Sequence, residues 1–200
     1  MMNKKYFGEI LESSLHSFIG QSWKWDMPPK FGSLVKIESN NRILYAVVHE
    51  IQTGSIDESR KAFAYQKTEE DLKREQPQIF EFLKTNFSCL CLGYEESGVL
   101  FHQLPPQPPK IHSFVSFVET SEYINFFQNE QYLHVLFGLS NNIINVDELL
   151  LAILKNMAEN KLLTSEKLAN FTSSYSLLTG NDYRRLKLFL QRVGNYANLI

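Results

Sequence analysis

Several residue patterns that carry chemistry are missing from this chain of 200 residues. None of its nine glycines is followed by lysine, so a phosphate-binding loop of the usual kind cannot form. A G-x-S-x-G nucleophile elbow, an H-E-x-x-H metal helix and a dinucleotide fingerprint are absent as well. We therefore expect a non-enzymatic protein with no cofactor and no metal ion. A small hydrolase or metalloenzyme is the least supported alternative.

Long apolar runs and an excess of one charge are also lacking. No apolar run reaches the roughly 18 residues that a membrane-spanning helix needs, and the N-terminal MMNKKYFGEI has no apolar core of a secretory signal. The 20 basic and 22 acidic residues leave a net charge of −2, and neither half of the chain is basic. Gross charge therefore does not indicate a nucleic-acid-binding tail, and we expect no insertion into a membrane.

Cysteine is scarce: the chain has only Cys89 and Cys91, both within the apolar run FSCLCLGY. On a strand, residues two apart point to the same face. A single C-x-C pair is a weak metal signal, whereas two small buried apolar side chains fit both the run and a reducing compartment.

The first block of the chain, at about residues 5–56, has the sequence pattern of short strands. Turn signals separate its apolar runs, and 44% hydrophobic content is ample for a core. The turn Ser39-Asn40-Asn41 predicts a hairpin between residues 34–38 and 43–51. Both faces of its second strand are apolar, with Leu44, Ala46 and Val48 on one side and Tyr45, Val47 and His49 on the other. This pattern favours a closed barrel whose outside is covered by another layer.

The rest of the chain divides at a proline-rich segment. The pattern from Thr68 predicts one helix and Pro77 predicts the start of a second, PQIFEFLKTNF, so a helical insertion is expected at about residues 68–86. A hairpin folded at residues 95–98 would then complete the barrel. LPPQPPK predicts a stiff connector over residues 105–110, with an SH3-like or WW-like groove as an alternative partner.

Residues 111–200 have a helical pattern with four helix starts. One helix begins at Thr120 or Ser121 and runs to about Phe137. A second begins at Asn145 and a third at Thr164, and the last begins at Asn181 or Asp182 and runs to about Tyr196. The expected fold is therefore α+β. It has a closed barrel of about six strands with a helical insertion (1–104), the connector (105–110) and a layer or bundle of about four helices (111–200).

Two groups of residues are candidates for binding. Trp23, Lys24 and Trp25 combine aromatic rings with a positive charge near a barrel edge; such a set stacks single-stranded bases or anchors a protein interface. The last helix carries four basic residues that either contact phosphates or form a solvated face: Arg184, Arg185, Lys187 and Arg192. The five histidines are far apart and indicate no metal site.

The runs GEILESS, PPKFGSLVKI and YAVVHEIQTGS resemble the HAS barrel, a six-stranded domain found in the HerA DNA-translocating ATPase and in rotary ATP synthase subunits. EQPQIFEFLKTNF, CLGYE and LPPQPPKIH also resemble a stand-alone family of similar length in cyanobacteria and plastids that lacks the ATPase domain. The resemblance implies a barrel that helps to hold a ring together. Because Leu104-Pro105-Pro106 leads into helices here, ATP hydrolysis is not implied, nor is any catalytic residue.

These observations predict a protein-interaction or oligomerisation module, an accessory factor of a ring-shaped ATPase or another large assembly. The alternative is a nucleic-acid-binding accessory protein that uses the aromatic and basic barrel edge and the basic last helix. The expected partner is another protein or a second copy of the chain. The resemblance places the protein in the cytoplasm or the plastid stroma.

Overall fold

The computed structural model describes residues 6–57 and 63–194, which form seven strands and seven α-helices. The strands are β1 (Tyr6–Ser13), β2 (Ser17–Ser22), β3 (Leu34–Ser39), β4 (Arg42–Ser55), β5 (Leu83–Glu96), β6 (Val99–Phe101) and β7 (Phe114–Phe117). The helices are α1 (Glu69–Glu75), α2 (Gln78–Glu81), α3 (Thr120–Phe126), α4 (Gln131–Gly138), α5 (Val146–Glu159), α6 (Ser165–Leu178) and α7 (Tyr183–Val193), with a 3-10 turn at Ser140–Asn142.

Six of the strands form a closed antiparallel barrel. They follow one another in the order β2, β1, β7, β3, β4 and β5, and β5 pairs back onto β2. β6 pairs only with the end of β5 and is an additional strand. The predicted α+β fold with a six-stranded barrel is confirmed. The hairpin at residues 95–98 is present, but β5 closes the barrel and β6 does not.

Two-residue turns connect β3 to β4 and β5 to β6. Asn40 and Asn41 have φ of 55° and 59°, and they connect the paired residues Ser39 and Arg42. Positive φ at both central residues matches the right-handed twist of the flanking strands, and asparagine tolerates it better than most residues. The hairpin predicted from this turn is confirmed.

The barrel interior is filled by one hydrophobic cluster, and its largest side chains include Phe87. Cβ atoms built on Gly8 and Gly20 would lie 3.0 Å and 2.5 Å from the Phe87 ring. Both strands therefore carry glycine where the ring needs the space. Cys89 and Cys91 belong to the same cluster, which confirms that they are buried on one face of a strand. The members of the cluster are Ile10, Phe18, Val35, Ile37, Ala46, Val48, Phe87, Cys89, Cys91 and Val115.

The outer wall of β3, β4 and β5 packs against the C-terminal helices. Tyr45 and Val47 of β4, Leu90 and Leu92 of β5, and Leu34 of β3 join the helical residues in a second, larger cluster. The alternate residues of the same strands point into the barrel. Both faces of these strands are thus buried, which confirms the prediction made for residues 43–51 of β4.

Side-chain caps begin several helices at the predicted positions. Asn145 accepts hydrogen bonds from the backbone N–H groups of Asp147 and Glu148, and Thr164 and Asp182 cap α6 and α7 in the same way. The predicted helix over residues 120–137 is wrong in its continuity, because the chain turns after Phe126 and α4 starts at Gln131. The C-terminal layer therefore has five α-helices where about four were expected. The predicted end of the last helix, near Tyr196, lies outside the described residues.

Two further boundaries differ from the prediction. Thr68 caps α1 as expected. The predicted helical insertion to about residue 86 is too long, because the second helix ends at Glu81 and β5 begins at Leu83. β5 then pairs with β4 as far as Ser55. Beyond the proline-rich segment, residues 114–117 form β7, which pairs with both β1 and β3. The barrel thus takes a strand from beyond residue 104, and the block from residue 111 is not entirely helical.

Candidate interaction surface

The helices leave part of the barrel wall uncovered. Among the described residues, the cluster that joins barrel and helices takes no member from β1, β2 or β7. On this wall the ring of Phe114 lies 5.4 Å from that of Tyr6 and 5.4 Å from that of Trp23, centroid to centroid. Trp23 is 40% exposed and Phe114 39% exposed. We call Tyr6, Trp23 and Phe114 the aromatic patch.

The strand pairing brings the patch together from three parts of the chain. Tyr6 pairs with Ser116 and Glu9 with Phe114, which fixes β1 beside β7. The backbone N–H of Trp23 donates to the carbonyl oxygen of Phe7 and holds the end of β2 against β1. Sequence reasoning found Trp23 but missed Tyr6 and Phe114. Alternation within SFVSF was the only signal for Phe114, and a four-residue strand makes it weak.

The second tryptophan of the predicted group belongs to a different contact. The Trp25 ring stacks on Phe80 of α2, with 5.7 Å between centroids and 21° between planes. Its carbonyl oxygen accepts a hydrogen bond from Thr85 at 2.5 Å. Lys24 is exposed between the two. Trp23 and Trp25 therefore do not form one platform, and Trp25 helps to dock the helical insertion onto the barrel.

Two of the four basic residues on the last helix that were candidates for phosphate contacts form ion pairs within the protein. Arg185 makes a bidentate ion pair with Asp147 at 2.9 and 2.7 Å, and Arg192 pairs with Glu148 at 2.7 Å. Asp147 also accepts a hydrogen bond from the hydroxyl of buried Tyr175 at 3.0 Å. The remaining two, Arg184 and Lys187, are exposed on α7. The structure thus uses Arg185 and Arg192 to hold α7 to the start of α5.

A buried ion pair ties the barrel to the first C-terminal helix. Lys36 of β3 is only 3% exposed, and its Nζ lies 2.5 and 2.6 Å from the two carboxylate oxygens of Glu122. Glu122 also accepts the backbone N–H of Glu119 in a capping box. Beside the pair, burial and the nearby Glu95 raise the pKa of Tyr45 far above its usual value. The ion pair between Lys36 and Glu122 is therefore a structural contact that holds α3 on the barrel.

No group of three or more His, Cys, Asp or Glu residues that could hold a metal ion occurs in residues 6–57 and 63–194. Burial lowers the pKa values of His49 and His102, and the Nε2 of His102 lies 2.9 Å from the carbonyl oxygen of Phe126. Within the same ranges, no helix is both long and apolar enough to span a bilayer.

A closed six-stranded barrel with one wall under helices and the other carrying exposed aromatic rings defines the class, a small β-barrel protein with a helical layer. Residues 7–100 match the family model of the HAS barrel domain, and the chain contains that domain. The match stops before β7, the strand that completes the closed barrel. No curated protein matches the chain.

Proposed function

We propose that this protein is a non-enzymatic interaction module that binds a protein partner, or a second copy of itself, through the aromatic patch. The observation that carries the proposal is the difference between the two barrel walls. One wall is buried under the C-terminal helical layer, whereas the other exposes aromatic rings that contact one another. Clustered aromatic side chains are typical anchors of protein interfaces.

The partner class that we propose is a ring-shaped ATPase. HAS barrel domains are known from ATPase assemblies, and the sequence given holds no phosphate-binding loop of its own. An accessory role beside an ATPase fits both facts. The stand-alone resemblance supports the cytoplasm or the plastid stroma as the place of this assembly.

The ion pairs of α7 favour protein binding over nucleic-acid binding. Arg185 and Arg192 are occupied by carboxylates, and Trp25 is stacked on Phe80. We therefore expect no steep loss of binding to single-stranded nucleic acid with rising salt in a filter-binding titration. Salt-sensitive binding that Arg184→Ala and Lys187→Ala weaken would replace the proposal with the alternative.

To test the proposal, we compare the solution mass of the protein and the partners that it recovers with those of a variant of the aromatic patch. Wild type, Trp23→Ser/Phe114→Ser and the control Leu177→Ser are compared by sedimentation at several concentrations, and as baits in extract from the native source. Leu177 is an exposed apolar residue on α6, away from the barrel wall. We expect the double variant to lose association that wild type and control retain. A wild-type monomer that recovers no partner would contradict the proposal.

A further inference from the structure

The most exposed apolar side chains of the helical layer lie at one end of it, where α5 begins, α6 ends and α7 begins. Their exposed fractions are well above the 40% of Trp23 in the aromatic patch. Exposed apolar side chains that gather in one place mark a contact surface, whereas scattered ones do not. We call these four residues the helical tip: Ile144 (94% exposed), Leu177 (72%), Tyr183 (73%) and Leu188 (57%).

Contacts between the three helices bring the residues of the tip to the same end. The carboxylate of Asp147, in the first turn of α5, accepts hydrogen bonds from Tyr175 of α6 at 3.0 Å and from Arg185 of α7 at 2.7 Å. Ile144 lies two residues before the start of α5. The other three members belong to the last turn of α6 and the first two turns of α7. The tip is therefore a surface that three helices share.

The tip is separate from the core contacts that hold α7 in place. α7 packs on α5 and α6, and its buried residues are Phe189 and Val193. Tyr183 and Leu188 lie outside this buried stripe. Because the exposed members of the tip add little burial to the fold, their position at one end indicates a contact with another surface.

Unpaired positive charge accompanies the apolar side chains of α7. Lys187 follows Tyr183 by four residues, and Leu188 follows Arg184 by four. Residues four apart are neighbours on a helix surface, so each apolar side chain has a cation beside it. Arg184 and Lys187 are exposed and have no ion-pair partner among the described residues. The tip thus combines apolar side chains with free cations.

The charge of this end favours a negatively charged surface. Residues 141–148 and 173–194 contain four basic and three acidic side chains, so the end is net positive. Two of the three acids, Asp147 and Glu148, are already in ion pairs. A two-fold contact with a second copy would bring the free cations of both copies to the same interface, where like charges repel. The partner surface must therefore carry the opposite charge.

We propose that the helical tip binds peripherally to an anionic lipid surface. Its apolar side chains lie at the boundary between headgroups and acyl chains, and Arg184 and Lys187 interact with the lipid phosphates. A fluid surface suits Ile144, which protrudes almost entirely from the fold, because lipids need no preformed pocket to surround it. Tyrosine is typical of this depth. The contact requires no membrane-spanning helix, and it depends neither on the aromatic patch nor on a protein partner.

Sedimentation of the full chain with lipid vesicles tests the proposal. We compare phosphatidylcholine vesicles with vesicles in which about a third of the lipid is phosphatidylserine. We expect wild type to bind the anionic vesicles at least about tenfold more tightly, and this binding to weaken as the salt concentration rises. Equal binding to both kinds of vesicle, or no binding to either at millimolar lipid, would overturn the proposal.

Two variants separate the apolar and the charged contributions of the tip. Leu177→Ser/Leu188→Ser removes two apolar side chains, and Arg184→Gln/Lys187→Gln removes the two free cations. Each should weaken binding to the anionic vesicles at least about fivefold, and only the second should abolish the preference for them. All four side chains are exposed, so the melting temperatures should stay unchanged. Undiminished vesicle binding by both variants would overturn the proposal.

The matched control is Trp23→Ser/Phe114→Ser, which removes two exposed apolar residues from the aromatic patch. It should leave vesicle binding unchanged, and a loss equal to that of the tip variants would overturn the assignment to the tip. Poly-glutamate is the second probe. Binding of poly-glutamate that the tip variants weaken, without binding to vesicles, would assign the tip to an acidic protein and overturn the lipid proposal.

Discussion

The packing around Phe87 illustrates how the closed barrel depends on single residues. Its ring occupies the barrel interior next to the backbones of Gly8 and Gly20, which belong to paired strands. A small barrel has room for few large side chains, so an aromatic ring on one strand requires glycine on its neighbours. The sequence shows the glycines, but only the folded barrel shows which ring they accommodate.

We expect Gly20→Ala to destabilise the protein by about 1–3 kcal/mol, the usual range for overpacking. The added Cβ would lie 2.5 Å from the buried Phe87 ring, which has no free space to move into. Urea denaturation measures the change. Gly138→Ala, in helix α4 where nothing lies within 4 Å of the added atom, is the control and should be neutral or slightly stabilising. Equal stability of the two variants would contradict the packing argument.

The two cysteines should be inert in the folded protein. Burial raises the pKa of Cys91 to about 12 and that of Cys89 well above its usual value, so neither forms the reactive thiolate at neutral pH. We expect no reaction with a disulfide reagent under native conditions and reaction of both thiols in denaturant. Rapid labelling of the native protein would show that the barrel interior is accessible.

At the scale of elements, side-chain caps and ion pairs position the helices. Asp182 caps α7, Asn145 caps α5, and Arg185 and Arg192 reach from α7 to the acidic first turn of α5. Those carboxylates also interact favourably with the N-terminal end of the helix dipole. Burial of Phe189 completes the contact on the apolar side.

Arg185→Ala should cost about 1 kcal/mol of folding stability, a modest value because the guanidinium is partly exposed. It removes both hydrogen bonds from Arg185 to Asp147, whose carboxylate keeps the hydrogen bond from the Tyr175 hydroxyl. Arg184→Ala, one residue away, is the matched control and should change stability by less than half as much. The measurement is thermal or chemical denaturation at low salt. Equal losses would show that the ion pair contributes nothing.

The helices were easier to predict from the sequence than the last strand. Thr68, Asn145, Thr164 and Asp182 mark helix starts through their own side chains, so local chemistry is enough. β7 has four residues, and its stability comes from pairing with β1 and β3, whose paired residues are about 80 to 110 positions away in the chain. The strand start at Leu83 was missed for the same reason, because LKTNF has a helical pattern but pairs with β4.

For the molecule as a whole, the outer barrel wall and the helices share one hydrophobic cluster. The larger cluster contains strand residues such as Tyr45 and Leu90 together with helix residues such as Leu133 and Leu154. Removing the helices would expose the outer wall of three strands to water. We therefore expect the protein to unfold in a single cooperative transition.

Leu133→Ala tests this expectation, with a loss of about 2–5 kcal/mol for a buried leucine. Leu133 is fully buried on α4, whereas both tryptophans of the chain lie in the barrel region. Tryptophan fluorescence and helical circular dichroism should shift to the same lower midpoint. A variant whose helical signal is lost first, with unchanged fluorescence, would show that the helical layer folds separately.

The sequence by itself determined the class of the fold, the hairpin turn, the helix starts and the burial of the two cysteines. Each depends on residues close together in the chain: the Asn40-Asn41 turn, capping side chains, and the alternation around Cys89. The tertiary structure decided where β7 pairs, which arginines are occupied, and which aromatic rings share a surface. These outcomes depend on the barrel's closure, which brings Tyr6 beside Phe114 across more than a hundred residues and cannot be derived from local pattern.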